Sequence, residues 1–200
     1  MIYLCRHGQT EFNAIGRRQG QVDSNLTAVG QAQATAMGRR LASLNLPEFR
    51  IYASPLGRAH NSARLIAREL GNPEITLDAR LMEIGMGSWD GKTDLEIDTA
   101  HPGLRASVPP EAWWFHSPDG ETYAIFAARL AAALEDIQSD PSPVKIVVAH
   151  AVVSRVIRAQ WAGLSEADSH MLPVPQDAFF ALIEGNAITE IPSQPAALRP

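Results

Sequence analysis

Short apolar runs alternate with longer stretches of helical periodicity along most of the chain. Ile2 to Cys5, Ile51 to Ala53 and Val144 to Ala149 are brief and mainly apolar, the pattern of buried strands. Thr27 opens an Ala-rich helix to about Leu44, with Met37, Leu41 and Leu44 spaced as its core-facing stripe. Ser54 and Pro55 are expected as the N-cap and first-turn pair of a second helix, which Gly71 stops after Leu70. Thr122 caps a third, running through Ala127 and Ala128 to about Gln138, and a fourth occupies about Val152 to Trp161. Ala178 to Glu184 and Ala187 to Ile191 form a closing hairpin around Gly185 and Asn186. Strands separated by helices of this length imply crossover connections. The expected architecture is α/β: a three-layer sandwich in which helices cover both faces of a mostly parallel central sheet.

The pattern breaks down between Gly91 and Gly120. Pro102, Pro109, Pro110 and Pro118 interrupt a stretch carrying Trp113, Trp114 and Phe115. This stretch, about residues 92–121, is expected to be a short lid over one end of the sheet, not a second domain. A single domain then spans residues 1–191, and residues 192–200 form a flexible C-terminal tail.

Composition narrows the possibilities further. At 200 residues, 46% apolar and 20% charged, the chain can bury a core and is not intrinsically disordered as a whole. No apolar run approaches the roughly 18 residues needed to cross a bilayer. Met1 to His7 lacks a basic region followed by an apolar stretch, so no signal peptide is expected and the location is read as cytoplasmic. The single cysteine, Cys5, excludes an internal disulfide and a cysteine-based zinc cluster. Seventeen Lys and Arg against 22 Asp and Glu give a net charge of −5. Broad attraction to nucleic acid or anionic membrane is therefore not expected. An anion would have to be met in a local pocket of positive charge.

Such a pocket is suggested by position. In open parallel α/β sheets, ligands sit beyond the carboxyl ends of the strands. Arg6-His7-Gly8 follows the first strand, Arg58 lies in the first helical turn after the second, and His150 follows Val144 to Ala149. Three cation-capable side chains, distant in sequence, thus meet at one sheet edge. A compact oxyanion such as phosphate suits arginine forks beside a helix N-terminus.

The residues from Arg6 to Asn13, RHGQTEFN, resemble the signature of the histidine phosphatase superfamily, which shares its fold with cofactor-dependent phosphoglycerate mutase. Further blocks follow in register. They are Arg17 with Gln19-Gly20; Leu26-Thr27, Gly30 and Gln33-Ala34; Ser54-Pro55-Leu56 with Arg58-Ala59 and Ser62-Ala63; and Leu81 and Glu83 with Gly87, Trp89 and Gly91. The resemblance implies a phosphoglycerate-mutase-like fold and a set of roles. His7 would be the nucleophile, carrying the phosphoryl group on a ring nitrogen. Arg6, Arg58 and His150 would hold the phosphate oxygens, and Asn13 would add a neutral donor. Glu83 would protonate the leaving alkoxide and then deprotonate water. Arg17, Gln19 and Gly20 would meet the rim of the substrate. Neither metal nor cofactor is implied, because three cationic groups can supply the charge that magnesium supplies elsewhere. Ala151 stands where the family usually has Gly after its second histidine. Its backbone N–H could still contact phosphate, and its methyl matters only if φ must be positive or the approach very close.

Hydrolysis is expected over mutase chemistry. Between Trp89 and Gly120, Lys92 and Arg105 face Asp90, Asp94, Glu96, Asp98, Glu111 and Asp119, a poor setting for a polyanion. A short lid also excludes water poorly. The expected partner is a small-molecule phosphate monoester; oligomeric state is not legible. The alternatives are a phosphoglycerate mutase, a phosphate-recognising regulatory module without chemistry, and a protein-phosphohistidine phosphatase. Packing ranks above substrate stacking for Trp113 and Trp114. His60, His101, His116 and His170 read as surface residues, with His116 a lid candidate. Arg18, Arg39, Arg40 and Arg68 read as solvated charges. Cys5 is an inward-facing strand residue, since Glu11 stands where a cysteine phosphatase would need arginine.

Overall fold

A computed structural model describes residues 1–109 and 111–194. Its centre is a six-stranded sheet built from β1 (Ile2–Arg6), β2 (Phe49–Ala53), β3 (Ile75–Leu77), β4 (Val144–Ala149), β5 (Ala178–Ile183) and β6 (Ala187–Pro192). The spatial order is β3-β2-β4-β1-β5-β6. β3, β2, β4 and β1 run parallel, β5 returns antiparallel beside β1, and β6 pairs antiparallel with β5. The sheet is thus mostly parallel, as its apolar runs predict. β3 carries no such run: it is a three-residue strand at the edge, half-buried or exposed, and needs little apolar character to pair.

Among the described residues, seven α-helices accompany the sheet: α1 (Glu11–Ala14), α2 (Ala28–Ala42), α3 (Gly57–Glu69), α4 (Asp94–Ala100), α5 (Tyr123–Ser139), α6 (Ala151–Ala162) and α7 (Glu166–Met171). Strand side chains alternate between faces, and that alternation sorts the core into two layers. Tyr3, Cys5, Ile146, Val148 and Phe179 pack with Met37 and Leu41 of α2 and Ile66 of α3. Leu4, Val147 and Phe180 point the other way, into a cluster with Phe126 and Leu130 of α5 and Val153 of α6. Cys5 is fully buried in the first layer, and burial pushes its thiol pKa up to about 12.

Thr27 and Thr122 cap α2 and α5 as expected, accepting from Gly30 N–H and Ile125 N–H. The expected Ser54-Pro55 cap is corrected. α3 starts at Gly57, and a distant side chain supplies the cap: the carboxylate of Asp23 accepts from the N–H groups of Gly57 and Arg58. A carboxylate there also opposes the positive end of the helix dipole. Ser54 is thereby released to accept from Leu56 N–H and to meet His150.

The proline-broken stretch holds α4 and two 3₁₀ turns, Arg105–Ser107 and Trp113–His116; Pro110 lies outside the described residues. Trp113 is 4% exposed and packs on Trp89 at 5.8 Å between ring centroids, joining the α5–α6 layer. His170 is not a surface residue. It is 7% exposed, because α7 lays its ring 5.6 Å from both Phe115 and Tyr123. Of the expected tail, Pro192 ends β6 and Ser193 bonds twice to the Asp177 carbonyl, at 2.8 and 2.7 Å; residues 195–200 lie outside the described residues. Among the described residues no helix is long and apolar enough to cross a membrane.

Candidate active site

The parallel pairing of β1 and β4 brings the two expected histidines together. Arg6 lies opposite Ala149, and His7 N–H continues the ladder to the Ala149 carbonyl at 3.0 Å. His150 is the next residue on β4, so the rings of His7 and His150 meet edge to face, 5.2 Å between centroids. β2 lies on the other side of β4, and α3 follows it, which delivers Arg58 to the same edge.

The turn after β1 is set by close backbone packing. A Cβ at Gly8 would run into the Gly30 carbonyl of α2, and a Cβ at Gly30 would run into the Gln9 carbonyl. Two glycines therefore let the helix seat directly on the nucleophile turn. Ser62 of α3 fastens it from another side, accepting from Gly8 N–H at 3.1 Å and donating to the Arg58 carbonyl at 2.8 Å. Gln33 accepts from Gln9 N–H at 2.8 Å. Gly20 adopts φ +53°, and its carbonyl accepts from the Arg58 guanidinium at 2.6 Å.

A cavity of about 290 Å³ opens over this edge. Arg6, His7, Asn13, Arg17, Gln19, Gly20, Arg58, Glu83 and Ala151 all line it. His150 stands behind this wall, fully buried against His7. His7 Nδ1 lies 2.8 Å from the Gly8 carbonyl, a contact that requires an N–H at Nδ1 and leaves the lone pair on Nε2. Burial first, then the positive charges of Arg58 and Arg6, hold the His7 pKa well below the ordinary histidine value of 6.5. The same burial, followed by Arg58, His7 and Arg6, depresses His150. Nε2 of His150 meets the Ser54 hydroxyl at 2.8 Å. With that hydroxyl donating, the ring proton sits on Nδ1.

Among the described residues, three nitrogens at this edge are buried without an acceptor: Arg6 Nε, Arg58 Nε and His150 Nδ1. Buried donors rarely go unpaired, and an anion bound at this edge would be a chemically suitable acceptor for all three. Arg58 is 1% exposed and shares its other nitrogens among the carbonyls of Gly20 and Val22 and the Asp23 carboxylate. Burial lowers the pKa of Arg58, and takes that of Arg6 to about 10 against an opposing pull from Glu83; Arg6 stays charged at neutral pH. Asn13 turns its carbonyl oxygen to Thr10 N–H at 3.2 Å and to the Gln176 amide at 3.3 Å, leaving its amide nitrogen for a ligand. Ala151 is the first residue of α6 and its φ is not positive, so the methyl costs no backbone strain.

Glu83 is 8% exposed and faces the N-terminus of α6. Its carboxylate accepts from the N–H groups of Ile84 at 3.2 Å, Val152 at 3.2 Å and Val153 at 3.3 Å. Its own main chain is clamped by Arg129 of α5, a residue that no sequence motif singles out. Arg129 donates to the carbonyls of Arg80, Met82 (2.8 Å) and Glu83 (3.0 Å), and pairs with Glu121 at 2.7 Å. Glu121 in turn accepts from Gly85 N–H at 2.8 Å.

Two further arginines border the cavity. Arg18 is exposed, as expected, and its guanidinium bonds both Asp94 oxygens, at 2.7 and 2.9 Å, 5.4 Å from the Trp113 ring. Arg155 sits one helical turn beyond Ala151, a spacing that alone places both on one face of α6. Among the described residues no group of three or more His, Cys, Asp or Glu side chains is placed to hold a metal ion.

Comparison with known proteins agrees with this geometry. The chain is 40% identical over 113 residues to a glucosyl-3-phosphoglycerate phosphatase of Mycolicibacterium vanbaalenii, a match covering 56% of this chain but only 49% of that protein. It is 36% identical over 152 residues to a probable phosphoglycerate mutase GpmB of an Enterobacter species, covering 76% of this chain and 69% of the other. A solved mycobacterial glucosyl-3-phosphoglycerate phosphatase in complex with VO3 superposes with a TM-score of 0.75 at 28% identity, over 94% of this chain and 95% of that one. The family model for the histidine phosphatase superfamily (branch 1) matches residues 2–185, and the chain belongs to that superfamily.

Proposed function

We propose that this protein hydrolyses small phosphate monoesters through a phosphohistidine formed on His7. The observation that carries the reading is the His7 ring itself: Nδ1 is committed to the Gly8 carbonyl and Nε2 has no protein partner among the described residues, at the wall of a cavity shared with Arg6 and Arg58. Nε2 attacks phosphorus and the bond to the ester oxygen breaks. Arg6, Arg58 and His150 Nδ1–H stabilise the charge on the phosphoryl oxygens, with the Asn13 amide and the Ala151 N–H as further donors. Glu83 gives its proton to the departing alkoxide. It then takes a proton from water, whose oxygen attacks phosphorus, and the P–N bond breaks with its electron pair returning to Nε2. Arg17, Gln19 and Gly20 border the alcohol. The test is hydrolysis of an aryl phosphate with acid-quench trapping of labelled phosphohistidine. Activity is expected to be unchanged by EDTA; loss of activity on chelation, restored by a divalent ion, would contradict the metal-independent scheme.

The likeness to a probable phosphoglycerate mutase keeps a second reading in play. Isomerisation of 3-phosphoglycerate that depends on 2,3-bisphosphoglycerate would establish it and displace hydrolysis as the principal activity.

The surroundings of the nucleophile have consequences for titration. Because burial and two arginines lower its pKa, His7 should stay neutral as pH falls through 6.5. In the free enzyme, ¹⁵N shifts of its ring should titrate below 6.5; a midpoint at or above that value would contradict the assigned environment. The same shift has a stability consequence. Below 6.5 the unfolded chain binds protons that His7 and His150 refuse when folded, so stability is full above that pH and declines as pH falls. Around Glu83 the expectation concerns position. Arg129→Lys cannot reproduce a clamp on three carbonyls. It should slow alkyl phosphate hydrolysis by about tenfold while sparing KM, since it displaces Glu83 and not the phosphate donors. An unchanged ratio of alkyl to aryl rates would remove Arg129 from that positioning role.

A further inference from the structure

We infer that the substrate's alcohol is uncharged: a hydroxylated, sugar-type monophosphate, in preference to a phosphorylated carboxylic acid or a bisphosphate. This rests on the phosphatase reading and concerns what lies beyond the transferred phosphate. The inner arginines Arg6 and Arg58 keep buried Nε donors without acceptors. The outer arginines differ. Arg17 pairs with Glu96 at 3.2 Å, Arg18 with Asp94 at 2.7 Å, and Arg155 with Glu111 at 3.3 Å. Each outer cation on the cavity wall therefore already faces a carboxylate of the protein, Glu111 on the wall itself and Asp94 and Glu96 behind it.

A substrate carboxylate or second phosphate would meet arginines whose charge a neighbouring protein carboxylate already offsets, so less attraction remains to be gained. It would also approach Glu111, which lines the cavity. Neutral hydroxyls meet no such conflict. Arg155 holds one oxygen of Glu111, and the other has no protein donor among the described residues. Trp114 also lines the cavity, and its indole N–H is buried without an acceptor among the described residues. A carboxylate oxygen and an indole N–H are complementary to a polyol, one accepting its protons and the other donating to its oxygens. Glu111 is thus assigned as a specificity-determining residue that acts by occupying Arg155.

The test uses two esters that differ by one group: glycerol 3-phosphate carries a hydroxymethyl where 3-phosphoglycerate carries a carboxylate. Both are measured as competitive inhibitors of aryl phosphate hydrolysis, so that slow turnover of either does not obscure binding. Wild type should bind glycerol 3-phosphate at least about tenfold more tightly, the scale of a single charge-assisted hydrogen bond. Glu111→Gln, exposed enough to fold normally, should tighten 3-phosphoglycerate by about tenfold relative to glycerol 3-phosphate. Adding Arg155→Gln to that variant should return selectivity to the wild-type ratio. Equal or tighter binding of 3-phosphoglycerate by wild type, a ratio unmoved by Glu111→Gln, or no measurable binding of either ester would overturn the inference. Absence of aryl phosphate hydrolysis together with absence of phosphohistidine would instead remove the phosphatase reading beneath it.

Discussion

Replacing His7 with alanine is expected to lower kcat by at least about 10⁴-fold, the scale on which removal of a covalent nucleophile operates. The size follows from what the ring supplies. Without Nε2 there is no atom to receive the phosphoryl group, and the remaining donors can only polarise an ester toward attack by water. The fold should survive, since among the described residues the ring makes one side-chain hydrogen bond, to the adjacent carbonyl, and no ion pair. Binding of vanadate or inorganic phosphate should therefore persist, because the cationic donors remain. Rapid-quench samples of the variant should contain no acid-labile, base-stable phosphate. A variant that turns over near the wild-type rate, or that still forms a phosphohistidine, would move the nucleophile elsewhere.

The second large effect belongs to Glu83→Gln. An alkoxide is a poor leaving group and needs a proton as the P–O bond breaks, whereas an aryloxide departs largely unaided. Loss of the acid should thus slow alkyl phosphates by about 10²–10⁴-fold and aryl phosphates far less during phosphorylation of the enzyme. Single-turnover measurements isolate that step from attack by water, in which the same carboxylate serves as base. The substitution also replaces one acceptor oxygen by an NH₂ group facing the N–H groups at the start of α6, at a cost of about 1–3 kcal/mol. A melting curve measures this cost separately from the chemical one. Equal slowing of alkyl and aryl esters would exclude Glu83 as the acid.

Much of this site can be read from the chain because parallel topology does the assembling. Once Ile2–Cys5, Ile51–Ala53 and Val144–Ala149 are recognised as strands, the residues that follow them must share an edge, and Arg6, His7, Arg58 and His150 are those residues. What cannot be read involves contacts without periodicity. Asp23 caps a helix that begins 34 residues later, and no local pattern announces a side chain reaching across from another loop. That contact also overrides a sound local expectation, since Ser54-Pro55 carries the chemistry of a cap but is displaced from it. Arg129 looks like any polar residue on an amphipathic helix, and only the carbonyls converging on it disclose its use. His170 defies a sequence-based placement because burial of one histidine depends on where a short helix lands, not on neighbouring residues.

The mutual contact of Gly8 and Gly30 carries the reach of the active site beyond its own walls. α2 contributes no side chain to the cavity, yet any bulk added at Gly30 must push the main chain that bears His7. Neither position can take even alanine without shifting backbone beside the nucleophile. A surveyor of damaging substitutions who scored residues by distance from the phosphate would overlook that helix entirely.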